Sequence, residues 1–121
     1  MPFTEPVYLV GTGGAIGAVA RYLAATLVVR LRGPTTFPIT TIVVNVLGSF
    51  LFGLVVFSGA GDDVVRFVGV GICGAFTTYS SFSVQTVRLL EDGHRGLAVA
   101  NAFGNLALSG LAVGFAWLFV A

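Results

Sequence analysis

Gly74-Ala75-Phe76-Thr77-Thr78-Tyr79-Ser80-Ser81-Phe82-Ser83 lies inside Phe67–Val87, a run without a single charged residue. Such a run is long enough to cross a bilayer, which takes roughly 20 residues. It begins as plain apolar sequence, Phe67-Val68-Gly69-Val70, and is then interrupted by hydroxyl side chains. Two backbones fit this pattern. In a continuous helix the hydroxyls bond back to the preceding turn. Alternatively, Gly74 followed by the Thr77–Thr78 pair opens a break and frees carbonyls, which suit a hard cation such as Na⁺. Taken by themselves, the residues favour the unbroken helix.

The sequence on either side repeats the membrane signature. Gly33–Gly61 and Gly96–Ala121 are also free of charge, and Val7–Val29 carries only Arg21. The reading is an all-α membrane protein, one transmembrane domain over residues 1–121, with spans near 7–29, 40–58, 66–88 and 97–120. The connections are short: Arg30–Ile39 with Pro34 and Pro38, an acidic turn at Gly59–Asp63, and a charged turn at Leu90–Gly96. Pro34 and Pro38 fit a loop and a helix start.

Composition agrees. Of the 121 residues, 56% are hydrophobic and 9% charged, against about 25% charged in soluble domains. The mean hydropathy is +0.99. The net charge of +1 gives no reason to expect nucleic acid as a partner. Cys73 is the only cysteine and His94 the only histidine, so an intrachain disulfide is excluded and a His/Cys metal site is not expected. No basic residue precedes the first apolar stretch, which disfavours a cleaved leader. Gly69-Val70-Gly71-Ile72-Cys73-Gly74 matches a dinucleotide fingerprint, but it lies within an apolar span and lacks the required strand–turn–helix context. No paired carboxylates or nucleophile–base constellation falls in a span, so an enzyme is not expected.

Small residues mark expected helix contacts: Gly13 and Gly17 in the first span, Ser49 and Gly53 in the second, Gly110 and Gly114 in the fourth. Polar residues at membrane depth are costly and mark function or helix contacts. Asn45 either bonds to another helix or faces a cavity. Asn101, Asn105 and Ser109 follow i, i+4, i+8 and stack on one face, so they line either a helix interface or a pore. Phe76, Tyr79, Phe82 and Gln85 share a helical face, and ring edges are electropositive. Arg21, read as a turn or two from the end of its span, either snorkels to the interface or stands as a cation at a pore mouth.

Together these residues resemble the Fluc/CrcB fluoride channel family over nearly the whole chain. Gly13-Gly14-Ala15-Ile16-Gly17-Ala18-Val19-Ala20-Arg21-Tyr22 is similar to the family's opening motif. Pro38 through Gly53 is similar to its Pro…Thr…Val-Asn-x-x-Gly-Ser-Phe-x-x-Gly pattern, and Gly74 through Phe82 to Gly-Gly-Phe-Thr-Thr-Phe-Ser-Thr-Phe. The resemblance implies a passive fluoride channel that lowers cytoplasmic fluoride. It implies a third helix broken near its middle and an antiparallel, inverted dimer with two pores. It also implies a central, non-transported Na⁺ held by the carbonyls of Gly74 and Thr77. Asn45 maps to the pore amide and Phe82 to a pore-lining ring, and Arg21 to the arginine of the opening motif. With Tyr79, Ser81, Thr78, Asn105 and Ser109 as further anion donors, the set is neutral apart from Arg21 at the vestibule. Neutral donors replace fluoride's water without the deep well of a buried ammonium. The chain departs from the pattern at Tyr79, Ala75, Gln85, Asn101 and Thr40.

Two other readings compete. A small multidrug exporter is also a four-helix dimer, but proton-coupled cation export needs an intramembrane carboxylate, and the spans contain none. In a structural membrane subunit the polar stripes would only join helices. Arg30, Arg32, Arg88 and Arg95 flank one side of the membrane and Arg66 alone the other. Arginine-rich loops stay cytoplasmic, so both termini are expected outside. So unequal a bias also suggests a fixed orientation, and a partner that is an oppositely oriented paralogue in place of a second copy.

Overall fold

A computed structural model describes residues 5–33 and 36–121. Pro34 lies outside the described residues. Four segments are long and apolar enough to cross a membrane, and we number the helices along them: α1 (Pro6–Arg32), α2 (Ile39–Phe57), α3 (residues 62–76), α4 (Ser80–Glu91) and α5 (Arg95–Val120). The third span is thus two helices. At 27 residues, α1 is about 40 Å long, more than the ~30 Å hydrocarbon core requires.

The ends follow local chemistry. Gly33, Gly59 and Gly93 take positive φ just beyond helix C-termini, where glycine has no Cβ penalty. After α4 the His94 amide bonds to the Leu89 carbonyl at 2.8 Å and the Gly93 amide to that of Leu90 at 3.2 Å. This double closure satisfies carbonyls the helix leaves open. The acidic turn ends sooner than expected: Asp62 and Asp63 form the first turn of α3, where the helix dipole favours negative charge.

Within α3, Val65–Cys73 is wound as a π-helix. Its buried residues are Gly69, Gly71 and Cys73. Gly71 meets the backbone of Gly13 in α1, and Gly69 meets the Phe52 ring of α2. A Cβ at Gly13 would strike the Phe67 carbonyl, and one at Gly17 the Ile72 carbonyl. The first-span glycine pair therefore packs as expected. In α2, a Cβ at Gly53 would come to 2.8 Å from that of Ala116 in α5, so α2 and α5 also approach closely. Gly110 and Gly114 make no such contact within the subunit: nothing lies within 4 Å of a Cβ at either. They face away from the rest of the subunit.

The packing divides the bundle. α1 lies along α3, α2 along α5, and α4 chiefly against α5. The third span therefore changes partner where it breaks.

Candidate functional site

Helical winding stops at Phe76. Thr77 is extended, at φ −79° and ψ 163°, and winding resumes at Ser80. The break that the residues alone argued against is present, and it falls at residues 77–79. Gly74, the residue expected to open it, is itself helical, at φ −62° and ψ −37°. A broken helix strands backbone groups at membrane depth, which is tolerated only where something else bonds to them. Two side chains from distant sequence do so.

Asn45 on α2 imitates a backbone strand. Its Oδ1 accepts the Thr78 amide at 2.8 Å and its Nδ2 donates to the Thr78 carbonyl at 3.1 Å. Its second N–H donates to Asn105 Oδ1 at 3.0 Å. Both amide protons are therefore engaged within the subunit. Arg21 on α1 donates from Nη1 to the Thr77 carbonyl at 3.3 Å. Arg21 lies about three turns from the end of α1, deeper than the sequence reading placed it, and its contact with the break gives its charge a fixed place.

The network continues into α5. Asn105 Nδ2 donates to Asn101 Oδ1 at 2.9 Å and to the Asn101 carbonyl at 2.8 Å. Asn101 Nδ2 donates to Thr86 Oγ1 at 2.9 Å, and Thr86 donates to the Phe82 carbonyl at 2.8 Å. Asn101 is 0% exposed and Asn105 6%, so these amides bind α4 and α2 to α5. Beside them, buried Thr41 on α2 donates to Gln85 Oε1 on α4 at 2.6 Å. Every buried side-chain nitrogen and oxygen among the described residues has a partner.

Between α2, α4 and α5 an open groove of about 470 Å³ runs past the break. It is lined by Asn45, Ser49, Thr77, Thr78, Tyr79, Phe82, Ala102, Asn105, Leu106 and Ser109. Six of the expected anion-site residues meet here: Asn45, Thr78, Tyr79, Phe82, Asn105 and Ser109. Tyr79 and Phe82 stand with ring centroids 5.8 Å apart, and Tyr79 is 74% exposed. Ser81 lies apart, in a second groove with Ser80, Val84, Gln85 and Arg88. Gly74 lines a third, of about 370 Å³, with Ser49, Cys73 and Thr77. The expected aromatic face is split by the break: the Phe76 ring packs beside Gly48, while Tyr79 and Phe82 pair at the groove.

The sequence reading gave no site role to Thr41, Ser49 or Thr86, and read Ser49 only as a small residue at a helix contact. A signal for the first two was available: Thr41, Asn45 and Ser49 repeat on α2 the i, i+4, i+8 spacing of Asn101, Asn105 and Ser109 on α5.

As for a cation, no cluster of three or more His, Cys, Asp or Glu occurs among the described residues, so one would depend on backbone and hydroxyl oxygen. The Thr78 amide bonds to Asn45 and not to the carbonyl four residues back, which deprives Gly74 of its helical donor. The Thr77 carbonyl accepts from Arg21 and keeps a second lone pair. Oxygens of this kind fit a hard monovalent cation, with Arg21 as a competing positive charge.

The fold and groove define a small multi-pass membrane protein whose buried polar groups are neutral amides and hydroxyls gathered at a broken helix. A sequence profile described as CrcB-like protein, Camphor Resistance (CrcB), matches residues 8–117. The chain is 50% identical over 113 residues to a protein of Haloarcula marismortui named fluoride-specific ion channel FluC 2, covering 93% of this chain and 92% of that one. It is 46% identical to fluoride-specific ion channel FluC 1 of Halobacterium salinarum, covering 96% and 94%. A fluoride-specific ion channel FluC of Cereibacter sphaeroides is 46% identical over 111 residues, covering 88% and 89%. The chain belongs to the CrcB family, whose relatives here are named as channels and not as enzymes.

Proposed function

We propose that this chain forms a passive, fluoride-selective channel that lets fluoride leave the cell and lowers its cytoplasmic concentration. The observation that carries the reading is the groove at the break, where neutral donors and two aromatic rings converge. The names of relatives that align over nearly the whole chain support it.

The chemistry follows from the donors. Fluoride is small and strongly hydrated, so a path must offer hydrogen-bond donors in place of water. The Thr78 and Ser109 hydroxyls and the electropositive ring edges of Phe82 and Tyr79 can do this without trapping the anion. Asn45 and Asn105 line the same path, and their protons hold its walls together. Their role is to fix the break, so the groove keeps its shape as the ion passes. Arg21 sets a positive charge at the break and draws anions toward it.

The groove is open on one side, and Tyr79 projects from the subunit. An inverted second subunit closes it in this reading and gives two pores, with lipid around the pair. The Gly74 and Thr77 carbonyls would hold a Na⁺, which would supply a fixed positive charge at the break. The arginine bias between the two faces favours one fixed orientation, hence a partner that is a paralogue of opposite orientation. Reporter fusions at the C-terminus should then report one side only, and equal populations on both sides would restore the homodimer.

Fluoride efflux from liposomes tests the function. Purified protein, alone or with an encoded paralogue, should pass fluoride far faster than chloride with Na⁺ present. Failure of both preparations would overturn the channel reading.

A further inference from the structure

α2 and α5 carry facing polar stripes of equal spacing, Thr41–Asn45–Ser49 and Asn101–Asn105–Ser109. The first two rungs are engaged. Thr41 bonds to Gln85 and Asn101 to Thr86, while Asn45 and Asn105 bond to each other and to the break or the first rung. The third rung is not: neither Ser49 nor Ser109 makes a hydrogen bond within the subunit, among the described residues.

Among the described serines and threonines within helices, only Thr40, Ser80 and Ser81 share that freedom, and they stand in the first turn of α2 or α4, with no full helical turn before them. A serine or threonine in an apolar helix generally bonds back to the preceding turn. Thr12, Thr26, Ser58, Thr77, Ser83 and Thr86 all do so, at 2.6 to 3.0 Å. Ser49 and Ser109 keep their protons, and both line the groove at the break. Ser49 also lines the adjoining groove beside Cys73 and Gly69. It thus stands where the two grooves meet, midway along α2.

We propose that the Ser49 hydroxyl, with Ser109 opposite, is a binding position for the permeating anion, at which the ion passes from one groove to the other. This rests on the channel reading above. A hydroxyl proton not held by its own helix can turn toward an anion on either side. A movable donor is what a hand-over position requires, since binding must be strong enough to admit the ion and weak enough to release it.

The test is fluoride efflux from liposomes holding the channel, with rates normalised to correctly assembled protein by size exclusion. Ser49→Ala should slow fluoride at least tenfold. Ser49→Thr, which restores the hydroxyl, should stay within about threefold of the original rate. Thr12→Val, whose hydroxyl bonds its own helix on α1, should leave the rate unchanged. If Ser49→Ala assembles poorly, Ser49→Cys takes its place under the same criterion, because a thiol is a weak donor of nearly the same size. A Ser49→Ala channel that passes fluoride at the original rate would overturn the proposal and leave the channel reading intact. An unaltered protein that passes none would overturn both.

Discussion

The two halves of the third span lie in one line of sequence and are held by opposite means. α3 is held by absence of side chain: Gly71 rests on Gly13, and the Ile72 carbonyl rests on Gly17. α4 is held by polar side chains, Gln85 to Thr41 and Thr86 to Asn101. In lipid the hydrophobic effect does not drive helices together, so close backbone contact and interhelical hydrogen bonds are the available sources of specificity. The chain uses one source before the break and the other after it. Residues 77–79 join the two regimes, and Asn45 and Arg21 supply the partners that neither helix can give them.

This contrast can be broken from either side. The largest effect should come from Gly17→Val. Its Cβ would meet backbone that cannot turn aside, costing about 3 kcal/mol, near the upper end for overpacking. Thermal unfolding in detergent, followed by size exclusion, reads the loss. An unchanged midpoint would mean that α1 and α3 are not packed through glycine.

Asn45→Ala should cost about 2 kcal/mol. It removes three bonds at the break, each about 0.6 kcal/mol on average in a membrane and at most about 1.7. Asn45→Asp retains the acceptor for the Thr78 amide, but its carboxylate either ionises or loses a donor at depth, so it should not rescue the loss. If Asn45→Ala unfolds no earlier than the original protein, the break is self-supporting.

Asn101→Val should cost about 1 kcal/mol, since it removes the link to Thr86 and one acceptor of Asn105. A double-mutant cycle with Thr86→Val separates the shared bond from the change in packing, and a coupling near zero would remove the α4–α5 link from this account.

Gly110→Ala should be the mildest, within about 0.5 kcal/mol, because nothing in the subunit lies near it. A larger loss, measured in the assembled protein, would place Gly110 against a second subunit and extend glycine packing from the fold to the assembly.

Much of the bundle is legible in the sequence. Charge-free runs bounded by arginines and acids mark the spans, because an unpaired charge in hydrocarbon is costly. Gly13 and Gly17 announced a close contact. The same signal at Gly110 and Gly114 meets nothing within the subunit, since spacing reports a small-residue face and not what lies opposite it. The break was harder still. The residues of 74–83 are compatible with a helix whose hydroxyls bond back, and Thr77 and Ser83 do so. The deciding partners, Asn45 and Arg21, lie 33 and 56 residues away from the break residues they hold.

By itself the sequence determined the solvent, the number of spans and, Arg21 apart, the neutrality of the polar groups within them, because those depend on side-chain transfer energies that act residue by residue. Tertiary structure decided where the third span breaks, which amides became wall and which hydroxyls stayed free. A hydrogen bond engages a donor only when a partner from elsewhere in the chain arrives within reach, and spacing along one helix cannot record that arrival.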